Sequence, residues 1–286
     1  MFAAIAPALF VFLWSTGFIG AKFGLPHAEP LTFLSLRFVI VIALLAATLH
    51  GARWPRSPRL YLHLAVSGIL IHSLYLGGVF SAIKGGLNAG IAALIVGVQP
   101  LLTAVIVGPC LGEKLQRRQW LGFVLGFVGL LLVLSKTFVQ GGLPLPAVGC
   151  ALLGLSGITC GTLYQKRYVV NVDLRSGSLV QFVAALVPCG WYALALESGV
   201  IEWTPSFVFA LLWLCVVLSL GAISVLWYLI RQGAAARVAS LFYLVPAATA
   251  LEAWLLFGET MSVRQITGIA LTALGVALIN QTARAR

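Results

Sequence analysis

Apolar residues run through this chain in long blocks, separated by short gaps that carry Pro, Gly or charge. Ten blocks can be placed: Ala3–Gly24, Leu31–His50, Leu60–Ala82, Leu87–Leu111, Trp120–Ser135, Leu145–Gln165, Ser176–Glu197, Phe207–Ile230, Val238–Phe257 and Gln265–Asn280. Pro26–Pro30, Arg53–Pro58, Gly141–Pro146 and Glu202–Pro205 mark gaps. Roughly 20 apolar residues make a helix that crosses a bilayer core of about 30 Å. The pattern therefore predicts an all-α integral membrane protein with ten transmembrane helices.

Composition agrees. Of 286 residues, 61% are hydrophobic and 9% are charged, against roughly 25% charged in a soluble domain. The net charge of +11 does not point to nucleic acid, because the Lys and Arg sit in short gaps with no basic face or interleaved aromatics. Cys110, Cys150, Cys160, Cys189 and Cys215 lie in or at the ends of apolar runs without a C-x-x-C pair, which reads as small buried hydrophobes. No H-E-x-x-H, Walker A or nucleophile-elbow pattern occurs, and His27, His50, His63 and His72 are scattered with no acidic cluster. The expectation is no enzyme, no metal and no cofactor. The first block follows no basic n-region and reads as a retained helix.

Basic residues set the orientation, because short cytoplasmic loops hold the excess of Lys and Arg. With the N-terminus cytoplasmic, that side holds Arg53, Arg56, Arg59, Lys114, Arg117, Arg118, Lys166, Arg167, Arg175, Arg231, Arg237, Arg284 and Arg286, and the other holds Lys84, Lys136, Arg264, Lys22 and Arg37. The split of 13 to 5 puts both termini in the cytoplasm.

The chain also repeats itself. At a shift of 146, Gly112-Glu113 recurs as Gly258-Glu259, and Pro100, Ala104, Gln119, Gly122 and Gly129 match Pro246, Ala250, Gln265, Gly268 and Gly275. At a shift of 144, Gly17 matches Gly161 and Lys22 matches Lys166. The halves are then 1–138 and 139–286, five helices each. An odd number inverts the second half in the membrane, the usual build of secondary transporters, with the site near the midplane between halves. A complete, fused duplication needs no partner, so a monomer suffices.

Phe12-Leu-Trp-Ser-Thr-Gly-Phe-Ile-Gly-Ala-Lys22, then Ala28-Glu-Pro-Leu-Thr-Phe33, then Arg37 open the first half, and each half closes with Pro, thirteen residues, Gly-Glu and a Gly-spaced helix. In order and number these resemble the EamA-type members of the drug/metabolite transporter superfamily over essentially the whole chain. The resemblance implies a fold of two inverted five-helix repeats and alternating access. Within the family the chain is most similar to the YddG-type exporters of aromatic amino acids. A different amino acid, a nucleobase or a cationic drug is the alternative cargo, and lipid is the surrounding partner.

Polar groups in spanning helices are costly and usually face a cavity or the bundle interior. Helical spacing aligns Ala65, Gly68, His72, Tyr75 and Val79 in the third helix, and Ala92, Val96, Gln99 and Thr103 in the fourth. Pro100 and its mate Pro246 are expected to bend their helices. For an aromatic amino acid, Trp14, Tyr75, Tyr164 and Tyr243 could wall the ring, and Ser15, His72 and Gln99 could meet its polar end. Packing against lipid or other helices is the plain alternative for each aromatic, and an interhelical hydrogen bond for His72. Arg37 and Glu252 share a depth and are expected to form an ion pair or outer gate. The G-x-x-x-G spacings, such as Gly122/Gly126 and Gly157/Gly161, predict close helix packing. Glu113 and Glu259 are read as favourable charge at the helix that follows each.

Overall fold

The computed structural model describes residues 2–87, 89–133, 144–233, 235–257 and 262–281. Lys136, Gly258, Glu259, Arg284 and Arg286, and the side chains of Lys22 and Ala250, lie outside the described residues. Among the described residues all regular structure is helical, apart from an isolated antiparallel bridge between Ala28 and Ile201. In order these are α1 (Phe2–Gly24), α2 (Pro30–Ala47), α3 (Pro58–Gly68), α4 (Tyr75–Lys84), α5 (Ala89–Gly97), α6 (Gln99–Leu111) and α7 (Arg117–Val133). Then come α8 (Leu145–Tyr168), α9 (Leu174–Leu196), α10 (Pro205–Trp213), α11 (Ile223–Gln232), α12 (Ala235–Ser240), α13 (Leu244–Phe257) and α14 (Val263–Gln281). Among the described residues seven stretches are long and apolar enough to cross a membrane, including Pro58–Lys84, Ile91–Leu111 and Pro205–Gln232, and Ile5–Ala21 and Ala235–Thr249 are shorter apolar helices.

Several helices start earlier than the hydrophobic pattern indicates. Pro30, Pro58 and Pro205 each occupy the first turn, where a missing N–H costs nothing and the fixed φ suits the helix. Thr204 caps α10 by accepting from Phe207 N at 3.2 Å, and Asp173 caps α9 by accepting from Arg175 N at 2.9 Å. These polar and Pro positions fall outside an apolar window but belong to the helix. α7 starts at Arg117, three residues before the expected Trp120.

Two helices carry π-helical stretches, Ile69–Leu74 between α3 and α4 and Leu214–Ala222 between α10 and α11. Shifted by 146, the first becomes 215–220, inside the second. Each packs on glycines of a helix from the other half of the chain. A Cβ on Gly157 would lie 2.7 Å from Leu70 O, and one on Gly20 would lie 2.8 Å from Leu214 Cδ2.

α7 lies along α14. A Cβ on Gly122 would lie 2.6 Å from Gly275 O, and one on Gly129 would lie 2.6 Å from Gly268 O. The earlier glycine of α7 thus meets the later glycine of α14, so the two helices run antiparallel, with backbones close enough that only Gly fits.

The loops join in two matched places. At one end Glu29, the N-cap of α2, accepts from Ser198 N at 2.5 Å and from Ser198 Oγ at 2.6 Å. At the other end Asp173, the N-cap of α9 and 144 positions further on, accepts from Arg53 N at 3.4 Å. Ser176 Oγ and the Arg175 guanidinium donate to carbonyls of Arg53, Thr48 and His50 at that same end. The end that holds the Asp173 latch also carries the basic loops and is here called the basic end.

Candidate functional site

Trp14 of α1 and Tyr75, the first residue of α4, form the centre. Their rings stack at 6.3 Å with planes 13° apart, and Trp14 Nε1 donates to Tyr75 Oη at 3.3 Å. Phe10 and Phe242 close around Trp14 with ring centres at 5.0 and 5.4 Å. A cavity of about 30 Å³ lies against Trp14, Gly17, Arg37, Tyr75, Phe80 and Leu218. A second, of about 10 Å³, lies against Trp14, Tyr75, Val96, Phe242 and Pro246. Both are near the size of one water, so the centre is closed.

Pro246 lines the second of these cavities. The helix breaks at Val98, leaving Pro100 in the first turn of α6, and a 3₁₀ turn at Leu241–Tyr243 precedes Pro246 in α13. Gln99 stands at the first break, fully buried, with neither amide atom hydrogen-bonded to the protein, beside a small cavity shared with Thr162, Lys166 and Phe242. Thr103 Oγ1 is likewise buried without a partner. Such groups cost about 1–3 kcal/mol each when left unsatisfied, which is tolerated where a ligand supplies the missing bond.

Arg37 and Glu252 do not pair. Arg37 Nε donates to Ser219 Oγ at 2.9 Å in the second π-helical stretch, whereas Glu252 accepts from Ser15 Oγ at 2.5 Å. Shared depth fixes position along the helix axis only, and the two side chains leave their helices toward different neighbours. Glu252 lies instead on an apolar groove of about 840 Å³ between α1, α13 and α14, whose far end carries Gln232, Arg237 and Asn280.

Other expected residues also lie elsewhere. His72 stacks on Phe182 at 4.2 Å and approaches Phe38 at 6.3 Å, and neither ring nitrogen has a protein hydrogen-bond partner. The i→i+5 turn between it and Tyr75 takes the two off the common face that α-helical spacing gives them. Tyr164 Oη pairs with His63 Nδ1 at 2.7 Å, in a cluster with Tyr168. Tyr243 is fully buried against Gly126 with its hydroxyl unpartnered. Phe242, from the 3₁₀ turn Leu241–Tyr243, packs on Trp14 instead. Glu113 accepts from Ala235 N at 2.9 Å, so it caps α12 and not the helix that follows it.

A buried network had escaped the sequence reading. Gln181 Nε2 donates to Ser67 Oγ at 2.8 Å and to Gln165 Oε1 at 3.0 Å, and Gln181 Oε1 accepts from Trp227 Nε1 at 3.1 Å. The signal was present: Arg37-Phe38-Val39 recurs as Gln181-Phe182-Val183 at the shift of 144. Phe38 and Phe182 meet with ring centres 5.6 Å apart.

Apolar helices closed around an aromatic and polar centre, with helix breaks beside it, define a multi-pass membrane transporter. The model of the EamA-like transporter family matches residues 1–135 and 145–281. The chain belongs to this family, whose members are transporters and not enzymes. It is 27% identical over 278 residues to a Salmonella typhimurium protein named "Probable amino-acid metabolite efflux pump", covering 94% of this chain and 91% of that one. It is 27% identical over 274 residues to the inner membrane transporter YedA of Escherichia coli strain K12, covering 95% and 88%. A crystal structure 19% identical in sequence matches with a TM-score of 0.79, covering 98% of this chain and 96% of that one, a likeness of fold alone.

Proposed function

We propose that this chain exports aromatic amino acids, or similar small amphipathic metabolites, across the bacterial inner membrane by alternating access. Two inverted five-helix halves, 1–138 and 139–286, would share the site, both termini would be cytoplasmic, and one chain would suffice. The observation that carries the reading is the closed box of Trp14, Tyr75 and Phe242 beside buried polar groups at the helix breaks. The antiparallel α7–α14 contact supports inversion: exchanging each glycine for its mate at 146 returns the same contacts. The loop charges support the orientation, and the naming of the Salmonella relative supports an amino-acid cargo.

Flux of radiolabelled tryptophan or phenylalanine in proteoliposomes, with and without a pH gradient, tests the cargo. Flux competed by tyrosine but not by leucine or lysine is expected. Absence of aromatic flux from folded protein would remove the substrate assignment.

The two loop latches give a further prediction. In the proposed orientation Glu29 ties the outer end and Asp173 the inner end. Glu29→Gln is expected to favour the outward-open state and Asp173→Asn the inward-open state, read as opposite changes in spin-label distances across the two ends. Equal changes from both variants would contradict this. Hydrogen bonds from the Ser198 hydroxyl and backbone hold the Glu29 carboxyl below its usual range. Partial burial works to raise Asp173, but hydrogen bonds from Arg175 and Arg53 outweigh it and hold it low. A lowered carboxyl stabilises above its unfolded pKa, and that contribution is lost as pH falls through the lowered value. Both latches therefore loosen in acid, not in base.

One observation favours a second cargo. The wide groove holds the Glu252 carboxylate among apolar walls, a setting for an amphiphilic cation. If that cargo is carried, a quaternary ammonium dye is transported, and Glu252→Gln reduces its flux without altering that of tryptophan.

A further inference from the structure

We infer that Arg37 is the anion anchor of the central site, so the transported class carries a carboxylate next to its apolar body. The inference rests on the reading of the centre as the substrate site and assigns its polar end.

Arg37 is 2% exposed in the middle of an apolar bundle. Its Nε is held by Ser219, and its NH1 is buried without a partner from the protein. Among the described residues no acidic side chain pairs with Arg37; each has another partner, and the second oxygen of Glu252 is buried with none. Glu29 holds Ser198, Glu113 the start of α12, Asp173 Arg53 and Arg175, Glu197 the start of α2, Glu202 His27 and Glu252 Ser15. A guanidinium stays charged, and a buried charge is unfavourable until an opposite charge meets it. Arg37 also lines the cavity whose other walls include Trp14, Tyr75 and Phe80. When these walls part, an anion bound at NH1 would lie beside the aromatic rings. No carboxylate of the protein lines this cavity, so an ammonium there meets no opposite formal charge, only aromatic faces and neutral acceptors. The site thus depends more on the acid than on the amine.

Ser219 fixes the guanidinium. Its hydroxyl also donates to Leu214 O at 3.1 Å inside the π-helical stretch, so the anchor is tied to a helix of the other half of the chain.

The test is competition against labelled phenylalanine in proteoliposomes of the full chain. Phenylalanine and 3-phenylpropionate are expected to compete, and 2-phenylethylamine and phenylalanine amide to compete at least about tenfold more weakly. Arg37→Gln is expected to raise KM by roughly ten- to a hundredfold, the worth of a charge-assisted hydrogen bond, with kcat less affected, and Arg37→Lys to recover part of the loss. Should Arg37→Gln not fold, Ser219→Ala removes the positioning bond and is expected to raise KM for the acids several-fold while leaving the amine and amide equally weak. Amine or amide competing as well as the acid, or unchanged preference in folded Arg37→Gln, overturns the anchor. If phenylalanine does not move at all, thermal shifts of purified protein separate the two readings. An aliphatic carboxylate that stabilises wild type but not Arg37→Gln retains the anchor while the aromatic cargo falls. Stabilisation by chloride or sulfate alone, or by no anion, overturns it.

Discussion

Replacing Trp14 with alanine is expected to lower kcat/KM for aromatic cargo by about a hundredfold or more, the scale of a dominant aromatic contact. Trp14 lines both central cavities and is 5% exposed. It joins three parts of the chain: α1, Tyr75 at the end of the π-helical stretch, and Phe242 in the 3₁₀ turn before Pro246. Truncation removes the ring that a planar cargo would stack on and also the Nε1–Oη bond to Tyr75. It also leaves a cavity, with a stability loss of about 3–5 kcal/mol by analogy with buried aromatics. Trp14→Phe separates these effects. It keeps a ring and loses the N–H, so it is expected to fold and to lose only several-fold in KM. Transport kinetics beside gel-filtration profiles check both variants, and wild-type flux from Trp14→Ala would show that cargo does not pass this box.

A block to folding is expected at the α7–α14 contact when a bulky side chain is introduced. A Cβ at position 129 would sit 2.4 Å from Thr272 Oγ1 and 2.6 Å from both Gly268 O and Thr272 N, and one at 275 would sit 2.5 Å from Gly122 O. Backbone atoms cannot turn aside as a side chain can, so even one methyl pushes the helices apart. Gly129→Ala is expected to cost about 1–3 kcal/mol, the scale of overpacking, and Gly129→Leu to prevent recovery of folded protein. Gly149 has nothing within 4 Å of its Cβ direction, so Gly149→Ala is the neutral control. Thermal unfolding in detergent reads the difference. Equal melting temperatures for the two alanine variants would mean that the α7–α14 approach is looser than described.

The apolar pattern revealed the helices because lipid imposes it on each segment separately, without reference to tertiary neighbours. The helix starts at Pro30, Pro58 and Pro205 were misplaced because a first-turn proline is favourable but does not read as apolar. Trp14 and Tyr75 were both named from the sequence as ring walls, and the structure stacks them on each other. What periodicity could not supply was azimuth beyond an irregular turn, or between one helix and another. It gives a residue's height from spacing, but the side on which the residue emerges depends on every turn before it. The π-helical stretch took His72 away from Tyr75 to Phe182, and at the 3₁₀ turn it is Phe242, not Tyr243, that meets Trp14. The same gap separated Arg37 from Glu252, equal in height but committed to Ser219 and Ser15. Tyr164 was drawn off by His63, a pairing between distant segments that no local pattern announces.

The central claim is that one closed site between the two halves is reached in turn from each side of the membrane. Leu76 lines the central cavity, and Cys110, Cys150, Cys160, Cys189 and Cys215 are free thiols. The direct measurement is labelling of a single cysteine, Leu76→Cys in an otherwise cysteine-free chain, by a membrane-impermeant thiol reagent in right-side-out and inside-out vesicles. Labelling from both sides, slowed several-fold by tryptophan in each case, is the predicted result. Labelling from one side only, or at a rate indifferent to tryptophan, would contradict the claim.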